Sequence, residues 1–210
     1  MIPLVETFHS LAGEGAWTGA PMFFIRVAGC NISKKGGKCK TWDGRTFDCD
    51  TILTADRKVK YKTYDDLLSN VREKRICLTG GEPLAQPTNE LHELFGVALR
   101  KDLKVHIETN GTLPIPNFFS NRNCYLACSP KQEFLPSVIN VVDEVRLLVD
   151  KDFSLINIPP IILCHPHVFL SPINNGPEIN HANLQIAMKV LERMSNWRLS
   201  VQLHKMIGVK

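Results

Sequence analysis

Short apolar runs alternate with helical segments along this chain, and nearly every apolar run ends in a cluster of polar residues. Strands that alternate with helices indicate a parallel sheet in an α/β fold. Ligands of such folds bind at the carboxyl ends of the strands, so the polar clusters are predicted to line one pocket. The predicted strands are Met22–Ala28, Arg75–Leu78, Lys104–Ile107, Tyr125–Cys128, Glu144–Val149, Val168–Leu170 and Arg198–Val201.

Three helices are predicted from apolar residues at helical spacing, over Thr63–Lys74, Asn89–Arg100 and Ala182–Met194. About six or seven parallel strands with outer helices predict an incomplete, TIM-like barrel. No linker or repeat divides the sequence, so residues 1–210 are predicted to form a single domain. Residues 31–62 are polar without a clear period and are predicted to form an extended, irregular loop.

Composition narrows the possible partners. Of 210 residues, 44% are apolar and 22% are charged, and the net charge is +4, as in an ordinary globular protein. No basic stripe or nucleic-acid-binding motif is present, and no apolar run approaches the ~20 residues that span a bilayer. The N-terminus lacks the features of a signal peptide, so a cytoplasmic location is expected, with no nucleic acid or membrane partner. Seven cysteines in a reducing compartment favour metal ligands over disulfides.

Cys30, Cys39 and Cys49 follow the first predicted strand within the polar loop. Three thiolates can hold three irons of a 4Fe-4S cluster and leave the fourth iron open to a ligand. A structural zinc site and unrelated free thiols are the alternatives. Zinc usually requires four closely spaced ligands, and the neighbouring aspartates are poor candidates for the fourth. Cys77, Cys124 and Cys128 are interpreted as small buried residues, and Cys164 as part of a surface turn.

Thr79–Pro83 follows the second predicted strand with the sequence Thr-Gly-Gly-Glu-Pro. Its glycines would let a ligand approach the main chain closely, and Glu82 could bind a cationic amino group. The alternative is an ordinary turn between a strand and a loop.

Taken together, the motifs resemble those of radical S-adenosyl-L-methionine enzymes and, more narrowly, of the 7-carboxy-7-deazaguanine synthase family. The matching segments run in order from one end of the sequence to the other. They are Glu6-Thr7-Phe8, Gly13-Glu14-Gly15, Phe24–Asn31, Cys49-Asp50-Thr51, Thr79–Pro83, Glu108–Thr112, Ser129-Pro130-Lys131 and Gln202–Lys205. The sequence departs from the family at two places. Thr46 stands where the family usually has the middle cysteine of a tight Cys-x-x-Cys, so Cys39 must serve instead, and Ala12 replaces a Gln before Gly-Glu-Gly.

The resemblance implies a chemistry. A reduced 4Fe-4S cluster, held by Cys30, Cys39 and Cys49, would donate an electron to S-adenosyl-L-methionine and generate a 5′-deoxyadenosyl radical. The family's substrate is 6-carboxy-5,6,7,8-tetrahydropterin, whose ring contracts with loss of ammonia to give 7-carboxy-7-deazaguanine. The resemblance also implies an Mg2+ ion beside the substrate. Asp50 and Thr51 offer hard oxygen ligands to that ion.

The resemblance assigns the remaining site residues. S-adenosyl-L-methionine would be held by Gly80, Gly81, Glu82, Asn110, Ser129 and Lys131. The pterin would be held by Glu14, Arg26, His204 and Lys205, with Glu14 on its N–H groups and Arg26 on its carboxylate. An external electron donor such as flavodoxin or ferredoxin, and a homodimer, are expected. Two alternative functions stay open: a radical enzyme acting on another small molecule, and a zinc-stabilised module without activity.

Overall fold

The computed structural model describes residues 1–33, 37–49, 61–174 and 176–209. The strands are β1 (Leu4–Leu11), β2 (Pro21–Val27), β3 (Lys38–Lys40), β4 (Thr46–Asp48), β5 (Arg75–Gly80), β6 (Lys104–Thr109), β7 (Cys124–Cys128), β8 (Glu144–Val149), β9 (Val168–Pro172) and β10 (Arg198–Leu199). The α-helices are α1 (Tyr64–Leu67), α2 (Thr88–Arg100), α3 (Pro136–Ile139), α4 (Pro160–Leu163), α5 (His181–Leu191) and α6 (Leu203–Met206). Short 3-10 helices cover Gly15–Trp17, Pro83–Ala85, Asn117–Phe119 and Leu155–Asn157.

Eight strands form one sheet in the order β1-β2-β5-β6-β7-β8-β9-β10. Every neighbouring pair from β2 to β10 is parallel, while β1 lies antiparallel to β2. The predicted mixed α/β fold with a mostly parallel sheet is therefore confirmed. Central parallel strands are covered on both faces and read as continuous apolar runs. Ile76, Leu78 and Leu147 accordingly have no more than 1% of their surface exposed.

The amphipathic pattern correctly located the long helix α2. Leu91, Leu94, Phe95 and Ala98, the residues predicted to share one face, are all buried. This face packs on the sheet beside β6. The packing holds β6 in place next to β5 and the loop that follows β5. Helix α5 packs in the same way against β8, β9 and β10 at the other end of the sheet.

Two predictions of local structure were wrong. The helix expected over Thr63–Lys74 ends at Leu67, although Thr63 caps it by accepting a hydrogen bond from the Asp66 N–H at 3.1 Å. The Ser69 hydroxyl donates to the Asp66 carbonyl at 2.7 Å, and such a side-chain bond competes with continuation of the helix. The N-terminal residues Leu4–Leu11, for which no strand was expected, form the edge strand β1.

The segment expected to be irregular contains a β-hairpin. Strands β3 and β4 pair antiparallel, with Cys39 opposite Phe47. Alternating polar and apolar residues over such short strands are a weak signal, which explains why the sequence did not reveal the hairpin. The hairpin brings Cys39 and Cys49 to the same end of the structure, although nine residues separate them in the sequence.

The loop after β1 and the segment after β10 meet beside the sheet. The Leu203 N–H donates to the Gly13 carbonyl at 3.0 Å, which joins the segment after β10 to the loop after β1. The His204 ring lies so close to Gly13 that a Cβ atom there would come within 1.6 Å of Nδ1. Only glycine fits at this position, and the contact places Glu14 and His204 together. None of the helices found in the described ranges is long and apolar enough to cross a membrane.

Candidate active site

Two adjoining cavities open at the carboxyl ends of the parallel strands. The first has a volume of about 460 Å³ and the second about 390 Å³. Their walls share Glu14, Thr79, Glu108, Gln202 and Lys205, so the cavities are two halves of one site. Each predicted site residue within the described ranges lines at least one of them.

The first cavity collects the predicted cluster and cofactor residues. They are Cys30, Cys39, Cys49, Gly80, Gly81, Glu82, Asn110, Ser129 and Lys131. The second cavity collects the four predicted substrate residues, Glu14, Arg26, His204 and Lys205. Asp50 and Thr51, the predicted magnesium ligands, lie outside the described residues.

Three cysteines from separate elements share one wall of the first cavity. Cys30 follows β2, Cys39 lies on β3 and Cys49 follows β4. A hydrogen bond with Cys49 and burial both raise the pKa of the Cys39 thiol, and Cys30 adds to the effect. The three sulfurs therefore lie within electrostatic reach of one another, as ligands of one metal centre must.

The spacing of the sulfurs bears on which metal they suit. Within the part of the chain that the structure describes, Cys77, His106 and Glu108 form the only trio of potential ligand atoms that all lie within 4.8 Å of one another. The three cavity cysteines therefore do not all lie within that limit, although Cys39 and Cys49 are hydrogen-bonded to each other. A four-iron cluster needs only three thiolates from the protein, whereas a structural zinc site usually needs a fourth ligand.

Lys131 gives the cysteine wall a positive charge. Its Nζ donates to the carbonyl of Ser129 at 3.0 Å and to its hydroxyl at 2.8 Å, and lies 5.2 Å from the Phe47 ring centre. Burial lowers the pKa of Lys131, whereas the nearby thiols of Cys128, Cys39 and Cys49 act to raise it. A partly buried ammonium beside thiols supplies the positive charge that suits an anionic thiolate-bound cluster, so the residues present fit a 4Fe-4S cluster.

The two glycines of the turn after β5 are required by the close approach of β2, and not only by a ligand. A Cβ atom on Gly81 would lie 1.6 Å from the carbonyl oxygen of Gly29. Gly80 has a φ of 108°, and a Cβ there would lie 2.6 Å from the carbonyl oxygen of Val27. The glycines thus let the ends of β2 and β5 touch, and the main chain they expose lines the first cavity.

Glu82 is buried and its carboxylate is fully engaged inside the protein. One oxygen accepts from the Leu84 N–H at 3.0 Å and the Thr109 hydroxyl at 2.8 Å, while the other accepts from the Asn110 N–H at 2.7 Å. Burial raises the pKa of Glu82, and these three donors oppose that shift. The side chain joins the loops after β5 and β6, so the cavity receives the backbone of this turn.

Asn110 holds the Cys30 loop in place. Its amide Nδ2 donates to Asn31 Oδ1 at 2.9 Å, and its Oδ1 accepts from the Thr112 N–H at 2.9 Å. Asn31 donates in turn to the Thr112 hydroxyl at 2.7 Å. The same Nδ2 lies 4.0 Å from the Cys30 sulfur, a position from which an amide can stabilise a thiolate.

A buried ion network forms the floor of the second cavity. Arg146 on β8 has side-chain nitrogens at 3.3 Å from Glu14 and 3.1 Å from Glu144, and it also contacts Glu108. Burial lowers the pKa of Arg146 and raises that of Glu144. Three carboxylates around one guanidinium leave an excess of negative charge, which suits a ligand edge rich in N–H donors.

Sequence reasoning missed Glu108 and Arg146 as site residues. Glu108 opens the Glu-Thr-Asn-Gly-Thr motif, and Arg146 is a charge within an apolar strand, which is a signal of function because arginine is rarely buried unless it is paired. His106 bonds Glu108 at 2.8 Å through Nε2. Burial, with Arg146 nearby, lowers the pKa of His106 to about 3. The Arg146 guanidinium on Glu108 disfavours a metal ion at the Cys77–His106–Glu108 trio.

Arg26 lies at the rim of the second cavity. Its Nε is 3.0 Å from Glu6 Oε1, and its guanidinium lies 5.8 Å from the Phe8 ring centre. The side chain is one-quarter exposed. The ion pair fixes the stem of Arg26 while the group still lines the cavity.

Known proteins match this chain almost from end to end. A curated relative from Methanospirillum hungatei named 7-carboxy-7-deazaguanine synthase is 33% identical over 98% of the chain and 85% of its own length. Relatives of the same name from Neisseria meningitidis and Bacteroides thetaiotaomicron are 33% and 32% identical, over 99% and 98% of the chain and 93% and 97% of their own lengths. The chain belongs to the 7-carboxy-7-deazaguanine synthase family. The family predicted from the motifs is thereby confirmed, with its radical S-adenosyl-L-methionine chemistry.

The fold of the family is also matched. The crystal structure of QueE from Escherichia coli superposes with a TM-score of 0.70 and 23% identity, over 97% of this chain and 94% of that one. No family model matches the chain. Membership in the family implies a 4Fe-4S cluster and S-adenosyl-L-methionine, and the two cavities offer separate walls for a thiolate-bound cluster and for a polar substrate.

Proposed function

We propose that this chain converts 6-carboxy-5,6,7,8-tetrahydropterin to 7-carboxy-7-deazaguanine, and that its two cavities divide the work. The observation that carries the proposal is the junction of a cysteine wall with a buried carboxylate network at one end of the sheet. When bound, the cluster and S-adenosyl-L-methionine supply the radical chemistry. The protein's own residues bind the two molecules, orient them and exclude water.

In the first cavity, Cys30, Cys39 and Cys49 would hold the cluster. The exposed main chain of Gly80, Gly81 and Glu82 would accept hydrogen bonds from the amino group of S-adenosyl-L-methionine. Asn110, Ser129 and Lys131 would contact the rest of it. Lys131 brings a partly buried positive charge to this wall, which suits a carboxylate or the cluster itself.

In the second cavity, Glu14 and Glu108 present carboxylates to the amino and ring N–H groups of the pterin. Arg26, at the opposite rim, suits the substrate carboxylate, with His204 or Lys205 as a second support. The excess of carboxylates selects for a donor-rich heterocyclic edge, because an acceptor placed there would leave buried charges unsatisfied. Mg2+ bound by Asp50 and Thr51 remains a prediction from the family resemblance.

Several broader expectations remain proposals. The seven-stranded parallel run would curve into an incomplete barrel, since the hydrogen bond from Leu203 to Gly13 draws the chain near one sheet edge to the loop beside the other. Residues 1–210 would form one domain with a cluster loop at about 30–62. A cytoplasmic location, a flavodoxin or ferredoxin as electron donor, and a homodimer follow from the same resemblance.

The test is anaerobic reconstitution with iron and sulfide, followed by incubation with reductant, S-adenosyl-L-methionine and the tetrahydropterin. We expect about four irons per chain and formation of the ring-contracted acid, detected by mass spectrometry. Production of 5′-deoxyadenosine should require the pterin. Cluster-loaded protein that cleaved S-adenosyl-L-methionine but left the pterin unchanged would assign the chain to another radical reaction.

A further inference from the structure

We infer that Arg45 is a positioning residue that clamps the β3–β4 hairpin and so sets Cys39 and Cys49 for metal binding. The inference rests on the proposed cluster and extends it to a residue outside both cavities. The hairpin is the feature with which this chain connects its second and third cavity cysteines, which makes its docking a determinant of the metal site.

The turn of the hairpin is internally ordered. The Thr41 N–H donates to the Arg45 carbonyl at 2.8 Å, and the Gly44 N–H donates to the Thr41 carbonyl at 2.9 Å. Gly44 has a φ of 86°, in the left-handed region that favours glycine. At the open end, the Cys49 N–H donates to the Gly37 carbonyl at 3.1 Å and extends the ladder to the cysteine itself.

Arg45 ties this turn to the sheet with three of its donors. Nε bonds Asp43 at 2.7 Å within the turn, whereas one terminal nitrogen bonds Asp150 at 2.5 Å and the other bonds the Leu148 carbonyl at 2.9 Å. Leu148 lies at the carboxyl end of β8, and Asp150 follows that strand directly. The guanidinium also lies 5.2 Å from the Phe153 ring centre. We call these three contacts of the guanidinium the Arg45 fork. Only 11% of the Arg45 side chain is exposed, so the fork is largely shielded from solvent, unlike a surface ion pair.

The hairpin has other contacts with the rest of the protein. Thr41 forms a single bridge with Lys131, the Gln132 N–H donates to the Lys40 carbonyl at 3.2 Å, and Trp42 in the turn packs against the main hydrophobic core. Arg45 adds the ionic contact of the turn with the end of β8. Loss of the fork would let Cys39 and Cys49 move relative to Cys30.

The test compares Arg45→Met, which keeps the aliphatic stem, with Arg45→Lys, Asp150→Asn and a control, Arg100→Met. Arg100 is two-thirds exposed and pairs with Asp65 at 3.8 Å. The first measurement is the rate at which each reconstituted protein loses iron to a chelator. We expect loss about 10-fold or more faster in Arg45→Met and intermediate in Arg45→Lys and Asp150→Asn, with the control unchanged. The melting temperature of each apoprotein is recorded alongside.

The second measurement needs no cluster. Phenylarsine oxide bridges two neighbouring thiols, and peptide mass spectrometry of the apoprotein locates the bridge. We expect capture across Cys39 and Cys49 in the wild type and about 10-fold weaker capture in Arg45→Met. Thiol capture would not change if Arg45 merely added stability.

The outcomes separate this inference from the proposed function. Wild-type iron retention and thiol capture in Arg45→Met would overturn the role of Arg45 alone. A wild type that takes up no iron would instead remove the proposed function, and the arsenical result would still decide whether Arg45 positions the thiols. If Arg45→Met does not fold, Asp150→Asn, which keeps the Asp43 and Leu148 contacts, decides: behaviour identical to the wild type rejects the clamp.

Discussion

The two halves of the site are built in different ways. The first cavity takes two of its three cysteines from a docked hairpin, and its charge from Lys131 on a loop. The second cavity rests on the sheet itself, since Arg146 and its partner Glu144 lie on β8 and are 93% or more buried. A hairpin outside the sheet can change its conformation without unfolding the protein, whereas a charge network inside the sheet cannot.

This difference suggests how the chemistry is distributed. The cluster site depends on loop geometry, which tolerates changes in length and ligand spacing. The substrate site depends on pre-organised charges, which lose their function when a partner is removed. Changes to the hairpin should therefore remove iron and spare the fold, and changes to the Arg146 network should do the reverse.

The largest effect is expected for Cys39→Ala. Removing one of the three proposed cluster thiols should leave far fewer than the expected irons per chain and lower turnover about 100-fold or more. The melting temperature of the apoprotein should change little, because the hairpin keeps its backbone pairing and the Arg45 fork. Iron content, absorbance and turnover are measured after anaerobic reconstitution.

Cys164→Ala is the matched control for this prediction, because Cys164 is exposed and lines neither cavity. It should retain full iron and activity. Full iron in Cys39→Ala would show that another residue completes the site and would break the distinction between the two halves.

Arg146→Met should have the opposite signature. Three carboxylates would lose their common partner, at a cost of about 3–5 kcal/mol in the free energy of unfolding, while iron uptake persists. The loss in the free energy of unfolding should be smaller at acidic pH. Burial already raises the pKa of Glu144, so the folded state binds its proton more tightly, and stability rises as pH falls through that raised pKa towards the unfolded value.

Urea unfolding of Arg146→Met at several pH values measures both effects. Arg198→Met is the control, since Arg198 is exposed on β10 and stacks on Phe169 at 5.2 Å. Equal stability of Arg146→Met and the wild type at neutral pH would show that the network is solvated and replaceable. A loss of iron in the same variant would show that the halves are coupled.

The sequence predicted the second half of the site less completely than the first. Strands such as β8, α2 with its apolar face, and the residues at strand ends were predicted because apolar period and polar signature are local signals. Cys30, Cys39 and Cys49 were predicted as ligands from their residue type, their place in one loop and the family resemblance, and the structure places them along one cavity. Arg146 was missed because its role depends on Glu14, which lies more than a hundred positions away and meets it only through the sheet.

The hairpin and the edge strand were missed for a related reason. β3 and β4 are three residues each, and Arg45 bonds Asp43 within their turn and Asp150 just beyond β8. β1 owes its conformation to seven paired positions along β2. Local propensity carries little information where long-range contacts decide the conformation.

Glu82→Gln examines the part of the first cavity that is built on the sheet and not on the hairpin. The amide would place an N–H₂ group against one of the donors that now bond the carboxylate, and so leave buried N–H or O–H groups unsatisfied. We expect a loss of about 1–3 kcal/mol in the free energy of unfolding and a raised KM for S-adenosyl-L-methionine. Chemical unfolding and steady-state kinetics check the two effects.

Glu93→Gln, an exposed change on α2, is the control for Glu82→Gln and should alter neither quantity. A raised KM without loss of stability would mean that the Glu82 carboxylate contacts the ligand directly. The structure instead assigns that side chain to the loops after β5 and β6, so the two effects should appear together.

The smallest effect is expected at His106. Because burial lowers its pKa to about 3, the folded protein holds a neutral imidazole, while the unfolded chain protonates it near about 6.5. The unfolded state then binds more protons, and stability falls by about 1 kcal/mol as pH drops one unit below that value.

His106→Asn should lack this contribution, which has the opposite sign to that of Glu144. The difference between the unfolding curves of wild type and variant isolates it, and an NMR titration should show a constant His106 ring signal from pH 8 to about 5. A ring that titrates near 6.5 in the folded protein would mean that water reaches the network and that the second cavity is no more rigid than the first.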